Sequence, residues 1–143
     1  MTSTQVVYDA FLAKMLEDEW ANWDMDAIKT DWRAILNSAL PYFKFPKQDL
    51  TIQDEYFLGD LNNTEIQILA SYMKCEWLNR TILTWENVKP LYEERDFSQA
   101  NLLDKFQALL ENEKKNARYL ESIYYRSIDS KPFDYTMLAT AHE

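Results

Sequence analysis

Residues 98–127 read SQANLLDKFQALLENEKKNARYLESIYYRS, and the fold turns on this stretch. Leu103, Phe106, Leu110, Ala117, Leu120 and Tyr124 recur in a three-four alternation interrupted only by Glu113. That spacing lines side chains along one face of an α-helix. Ser98 offers a hydroxyl to cap the first free backbone amides. Some 30 residues at 1.5 Å each give a rod of roughly 45 Å, the longest element expected. Glu111 stands one turn before Lys115 as an opposite-charge pair. An apolar face of that length has to be covered by another helix.

Working outward, three more helices follow from the same periodicity. The first is expected from about Thr4 to Glu19 on Val7, Tyr8, Phe11, Leu12, Met15 and Leu16. The second runs from about Asp24 to Leu40, with Asp24 as the cap, a stripe of Met25, Ile28, Trp32, Ile35, Leu36 and Ala39, and Pro41 disfavouring helix at Leu40. Residues 44–62 contain Pro46 and Gly59 and read as a packed loop with room for a short hairpin. The third helix starts on a reciprocal cap, Asn62 with Glu65 or Thr64 with Gln67, and reaches about Val88 before Pro90. Its stripe is Ile66, Leu69, Ala70, Met73, Trp77, Thr81 and Thr84. A polar connection from Tyr92 to Phe97 leads into the long helix. No repeat and no Gly- or Ser-rich linker divides the chain. The expected fold is all-α: an antiparallel bundle of about four helices over residues 1–128, followed by an arm over 129–143 whose Phe133, Tyr135, Met137 and Leu138 are too apolar for a solvated tail and are expected to dock on a partner.

Composition agrees with one such domain. The 143 residues are 47% hydrophobic and 15% aromatic, with one Gly and four Pro, which leaves little turn chemistry for a sheet protein and excludes a disordered chain. Cys75 has no partner for an internal disulfide, and no signal-peptide pattern opens the sequence, so a reducing cytoplasm is the expected place of folding. No apolar run reaches the roughly 20 residues of a membrane span. Fifteen Lys and Arg against 24 Asp and Glu give a net charge of −9, which argues against phosphate binding as the main activity.

The residues of common enzymatic chemistry are sparse. The single histidine, His142, lies one residue from the end of the sequence. One His and one Cys cannot build a four-ligand zinc site, and one Gly cannot build a phosphate-cradling loop. Glu17, Asp18 and Glu19 are consecutive and point apart on a helix, while Glu93 and Asp96 fall in a connection, so a magnesium hydrolase lacks paired acids at helical spacing. No catalytic residue, cofactor or metal is expected. Cys75 reads as a packed thiol and Trp32 and Trp77 as core; Trp20, Trp23 and Trp85 fit core or interface equally well.

The charges are unevenly placed. No Lys or Arg lies between Gln48 and Met73, where acids accumulate, whereas Lys114, Lys115 and Arg118 cluster late in the chain. The cluster reads either as a solvated face near a helix C-terminus or as one half of a subunit contact. In the second reading Lys114, Lys115 and Arg118 meet Asp54, Glu55 and Asp60 of a neighbouring copy, a head-to-tail arrangement able to close into a ring.

Three segments carry a resemblance: Met73-Lys74-Cys75-Glu76-Trp77-Leu78-Asn79-Arg80, Asp96-Phe97-Ser98-Gln99-Ala100-Asn101 and Phe43-Lys44-Phe45-Pro46-Lys47. Together with the order of elements they resemble the head-tail connector, or adaptor, proteins in the neck of tailed bacteriophages of Gram-positive hosts, over about two thirds of the chain. The motifs are moderately specific, since none carries invariant chemistry. The resemblance implies a structural protein of the virion, assembled in the host cytoplasm as a homo-oligomeric, commonly dodecameric ring. Such a ring contacts the portal protein through its C-terminal segment and a tail or head-closure protein on its other side, with no membrane involved. Viral DNA would pass through the lumen without sequence-specific binding, and an acidic lining would repel rather than hold it. Another neck or tail-completion role, and an acidic DNA-mimic inhibitor of a basic host protein, remain alternatives.

Overall fold

The computed structural model describes residues 1–15, 19–88, 97–128 and 131–132. Four helices form its body: α1 (Thr4–Ala13), α2 (Met25–Ala39), α3 (Asn63–Val88) and α4 (Phe97–Tyr125). Short strands β1 (Thr2–Ser3), β2 (Ile52–Gln53) and β3 (Tyr56–Phe57) make a small antiparallel sheet in the order β1-β3-β2, and β4 (Ser127–Ile128) pairs with β5 (Lys131–Pro132). The bundle is therefore mostly helical, as its periodicity requires, with the sheet as an addition at one end.

α3 is the axis of the bundle. It packs against α1, α2 and, most extensively, α4. A helix with neighbours on several sides buries more than one stripe, and Ile68 through Met73 are all buried without a break. The expected stripe was too narrow at its centre and too long at its end, since Ile66 and Thr81 are half-buried and Thr84 is exposed. The start is as read. The Asn62 amide donates to Glu65 Oε1 at 2.8 Å while the Glu65 amide donates to Asn62 Oδ1 at 2.9 Å, a reciprocal cap that satisfies two amides otherwise left open.

α2 keeps its expected bounds, with Asp24 Oδ1 accepting from the Ala27 amide at 2.8 Å, and Pro41 lies in a 3-10 turn over Leu40–Tyr42. α1 does not run to Glu19. The amides of Lys14 and Met15 donate to Phe11 and Leu12, three residues back, which tightens and ends the helix. The turn lets Trp20 fold inward, its ring edge-on to Phe11 at 5.8 Å and to Trp32 at 6.0 Å, and Trp20 Nε1 donates to Asp31 at 2.8 Å. Ser98, the expected cap, lies within the described span of α4, Phe97–Tyr125.

The loop between α2 and α3 holds the expected hairpin. Asp54 and Glu55 make its turn with φ of 48° and 69°, the left-handed pair that suits a two-residue connection. Thr4 ties the turn to α1 by donating its amide and hydroxyl to the Glu55 carbonyl at 2.9 and 3.1 Å. Gly59 closes the loop: its amide donates to the Asp49 carbonyl at 2.9 Å, and an added Cβ would stand 2.8 Å from the Asp49 nitrogen. Among the described residues no helix is long and apolar enough to cross a membrane.

Candidate functional site

The antiparallel pairing of α3 and α4 leaves a groove of about 670 Å³, walled at one end by the 3-10 turn after α2. Its aromatic wall starts with Tyr42, stacked on Tyr72 at 5.6 Å and 21°. Tyr72 and Tyr125 both donate their hydroxyls to the Glu121 carboxylate, which is buried where the helices meet. Burial raises the Tyr72 and Tyr125 phenols above their usual 10.0, and the Glu121 charge raises them further, Tyr125 to about 12. Both hydroxyls stay protonated near neutrality and serve as donors. Cys75 lies at the floor. Burial, reinforced by Glu113, pushes its thiol up to about 12, so it is a packed sulfur with no thiolate to offer.

The rim on α4 is basic. Lys114, Arg118, Ser122 and Arg126 follow one another at intervals of four and line one edge, and Lys44 faces them from beyond the 3-10 turn. Four cations thus border a groove that holds two acids, Glu76 and Glu121, in a chain of net charge −9. Lys44 owes its place to its neighbours. Lys47 Nζ donates to the carbonyls of Tyr124 and Ser127 at 3.2 and 2.8 Å, where the end of α4 presents unpaired carbonyls and partial negative charge. Phe45 meets Tyr125 edge-on at 5.9 Å. The Phe43–Lys47 segment is thereby strapped across the end of α4.

Of the expected contact residues, the structure brings Lys114 and Arg118 into this groove and leaves Lys115 exposed outside it. The expected Glu111–Lys115 pair is replaced by Glu111–Lys114 at 3.9 Å. Asp54 and Glu55 sit on the hairpin turn and Asp60 near the N-terminal amine, all exposed; Glu55 already faces Arg33 at 3.6 Å. Phe133, Tyr135, Met137 and Leu138 lie outside the described residues. Lys44 and Arg126 were missed. Arg126 was legible as the third cation of a four-residue ladder from Lys114, whereas Lys44 joins only through the tertiary strap.

A second depression of about 670 Å³ lies toward the other end of the pair, where Trp77, Trp85, Phe106 and Leu102 surround Arg80. Arg80 forks onto Asp31 at 2.6 and 3.1 Å. Burial works to raise the Asp31 carboxyl, but the hydrogen bonds from Arg80 and Trp20 outweigh it and hold the group below its usual value. Trp77 donates to Glu19. Trp20 and Trp77 are thus core, Trp85 half-buried at this depression and Trp23 exposed.

Among the described residues no three His, Cys, Asp or Glu side chains converge to hold a metal ion. Set against known proteins, the chain matches no protein family, no curated protein and no solved structure.

Proposed function

We propose that this chain is a non-enzymatic structural subunit that joins copies of itself into a ring between the portal and the tail of a bacteriophage. The observation that carries the protein-binding part is the outer flank of α4, where Leu102, Leu109 and Ile123 stay exposed at multiples of seven residues with Tyr119 beside them. Seven-residue spacing keeps side chains on one flank of a helix. A flank of this kind is stabilised when another protein surface covers it.

The resemblance to head-tail connector proteins supplies the assembly: a dodecameric ring in the virion neck, made in the host cytoplasm, with the arm over 129–143 reaching the portal and another face reaching a tail or head-closure protein. DNA passes through the lumen held by no specific contact, in keeping with the net charge of −9. The test is to mix the purified chain with the portal protein of the same phage and image the product by negative-stain electron microscopy. Rings seated on the portal are expected. The absence of both rings and portal binding would overturn the proposal.

A further inference from the structure

Two surfaces of this chain carry charges of opposite sign that have few or no ion pairs among the described residues. At the groove, Lys44, Arg118 and Arg126 have no ion pair among the described residues, and Lys114 has only Glu111 at 3.9 Å. In the loop between α2 and α3, Asp49 and Asp54 likewise have none, and Asp54 stands exposed on the hairpin turn. Beside these acids Tyr56 and Leu58 are exposed, while the groove offers the half-exposed rings of Tyr42 and Tyr125.

We infer that the groove between α3 and α4 receives the acidic loop, residues 49–60, of a second copy of this chain. At net −9 two copies repel over most of their surfaces. A contact between them is favoured electrostatically where the sign reverses, and the groove is such a place. A volume of about 670 Å³ lies in the range of sites that enclose several side chains, enough for the Asp54 and Tyr56 side chains of a tight turn. The left-handed conformation of Asp54 and Glu55 presents the turn as a preformed knuckle, so little ordering cost falls on association. Donor loop and acceptor groove are different surfaces, and each copy uses both. The contact is heterologous, and its repetition closes into a ring or extends as a filament.

The inference rests on the self-association proposed above and names the contact that makes it. It is tested on the full chain by sedimentation velocity at about 100 µM protein, in about 50 mM and about 500 mM salt. The parent is expected to associate at low salt and dissociate at high salt. The groove variant Lys114→Glu with Arg118→Glu, and the loop variant Asp49→Lys with Asp54→Lys, are each expected to weaken association at least about tenfold. An equimolar mixture of the two variants is expected to associate again, because reversed groove meets reversed loop and the parental pairing is also present once. Circular dichroism verifies that each variant is folded.

Parent-like association by either variant overturns the inference while leaving self-association standing. A monomeric parent at low salt overturns it too, and portal binding by that monomer would preserve the connector role. Binding of a labelled DNA duplex by the parent, lost in the groove variant, would reassign the cations to phosphates and likewise overturn it.

Discussion

Tyr124 shows how much a single side chain organises here. Its ring packs edge-on to Phe43 at 5.3 Å, its hydroxyl donates to the fully buried Glu65 at 2.8 Å, and that hydroxyl accepts the Lys47 amide at 2.6 Å. One phenol thus ties the α2–α3 loop, the start of α3 and the end of α4. Tyr124→Phe keeps the ring and strips a buried carboxylate of one donor, so a loss of about 1–3 kcal/mol is expected, read as a lower denaturant midpoint at unchanged slope. The phenols also set an alkaline limit. Burial and neighbouring carboxylates raise Tyr72, Tyr124 and Tyr125 above 10.0 in the folded chain, Tyr125 to about 12. A group whose folded value is raised keeps its full contribution below the unfolded value and loses it as pH climbs through the folded one. Cys75, raised from 9.0 to about 12, acts in the same sense. The denaturation midpoint is expected to fall steadily between about pH 10 and about pH 12 with these groups as the cause; a midpoint unchanged over that window would contradict their burial.

At the scale of elements, some boundaries announce themselves chemically and some do not. Asp24 and the Asn62–Glu65 pair place the starts of α2 and α3 because capping is a local hydrogen bond that the sequence spells out. The end of α1 at Ala13 has no such mark; it is imposed by Trp20 turning into the cluster with Phe11 and Trp32. The strand Thr2–Ser3 was equally invisible, since two residues carry no period and its partner Tyr56–Phe57 lies more than fifty positions away. The only glycine of the chain was legible as a loop residue, and the structure adds the reason it must be glycine. In Gly59→Ala the new Cβ meets backbone atoms of Asp49, so the loop has to shift. A loss of about 1–3 kcal/mol is expected, seen as a lower melting temperature, with the helical content unchanged by far-ultraviolet circular dichroism.

For the whole molecule, the proposed assembly separates folding from docking. The described core is closed by α1, α2, α3 and α4, with Leu110, Ala117 and Tyr124 of α4 buried in it. A chain ending at Pro132 keeps every residue of that described core and, if the arm serves docking alone, is expected to hold the melting temperature of the full chain within about 2 °C and to lose portal binding, measured by co-sedimentation with the portal protein. Retained binding would place the docking surface on the helical body instead of the arm. Sequence by itself determined the class of this protein: four helical segments and a single packed thiol, because periodicity, capping and composition act between residues near one another in the chain. Only the tertiary structure decided that α3 is the buried axis, and that Lys44 stands with Lys114, Arg118 and Arg126 around one groove. Those facts depend on which faces meet across the bundle, and packing settles that between residues whose separation in sequence leaves no pattern to read.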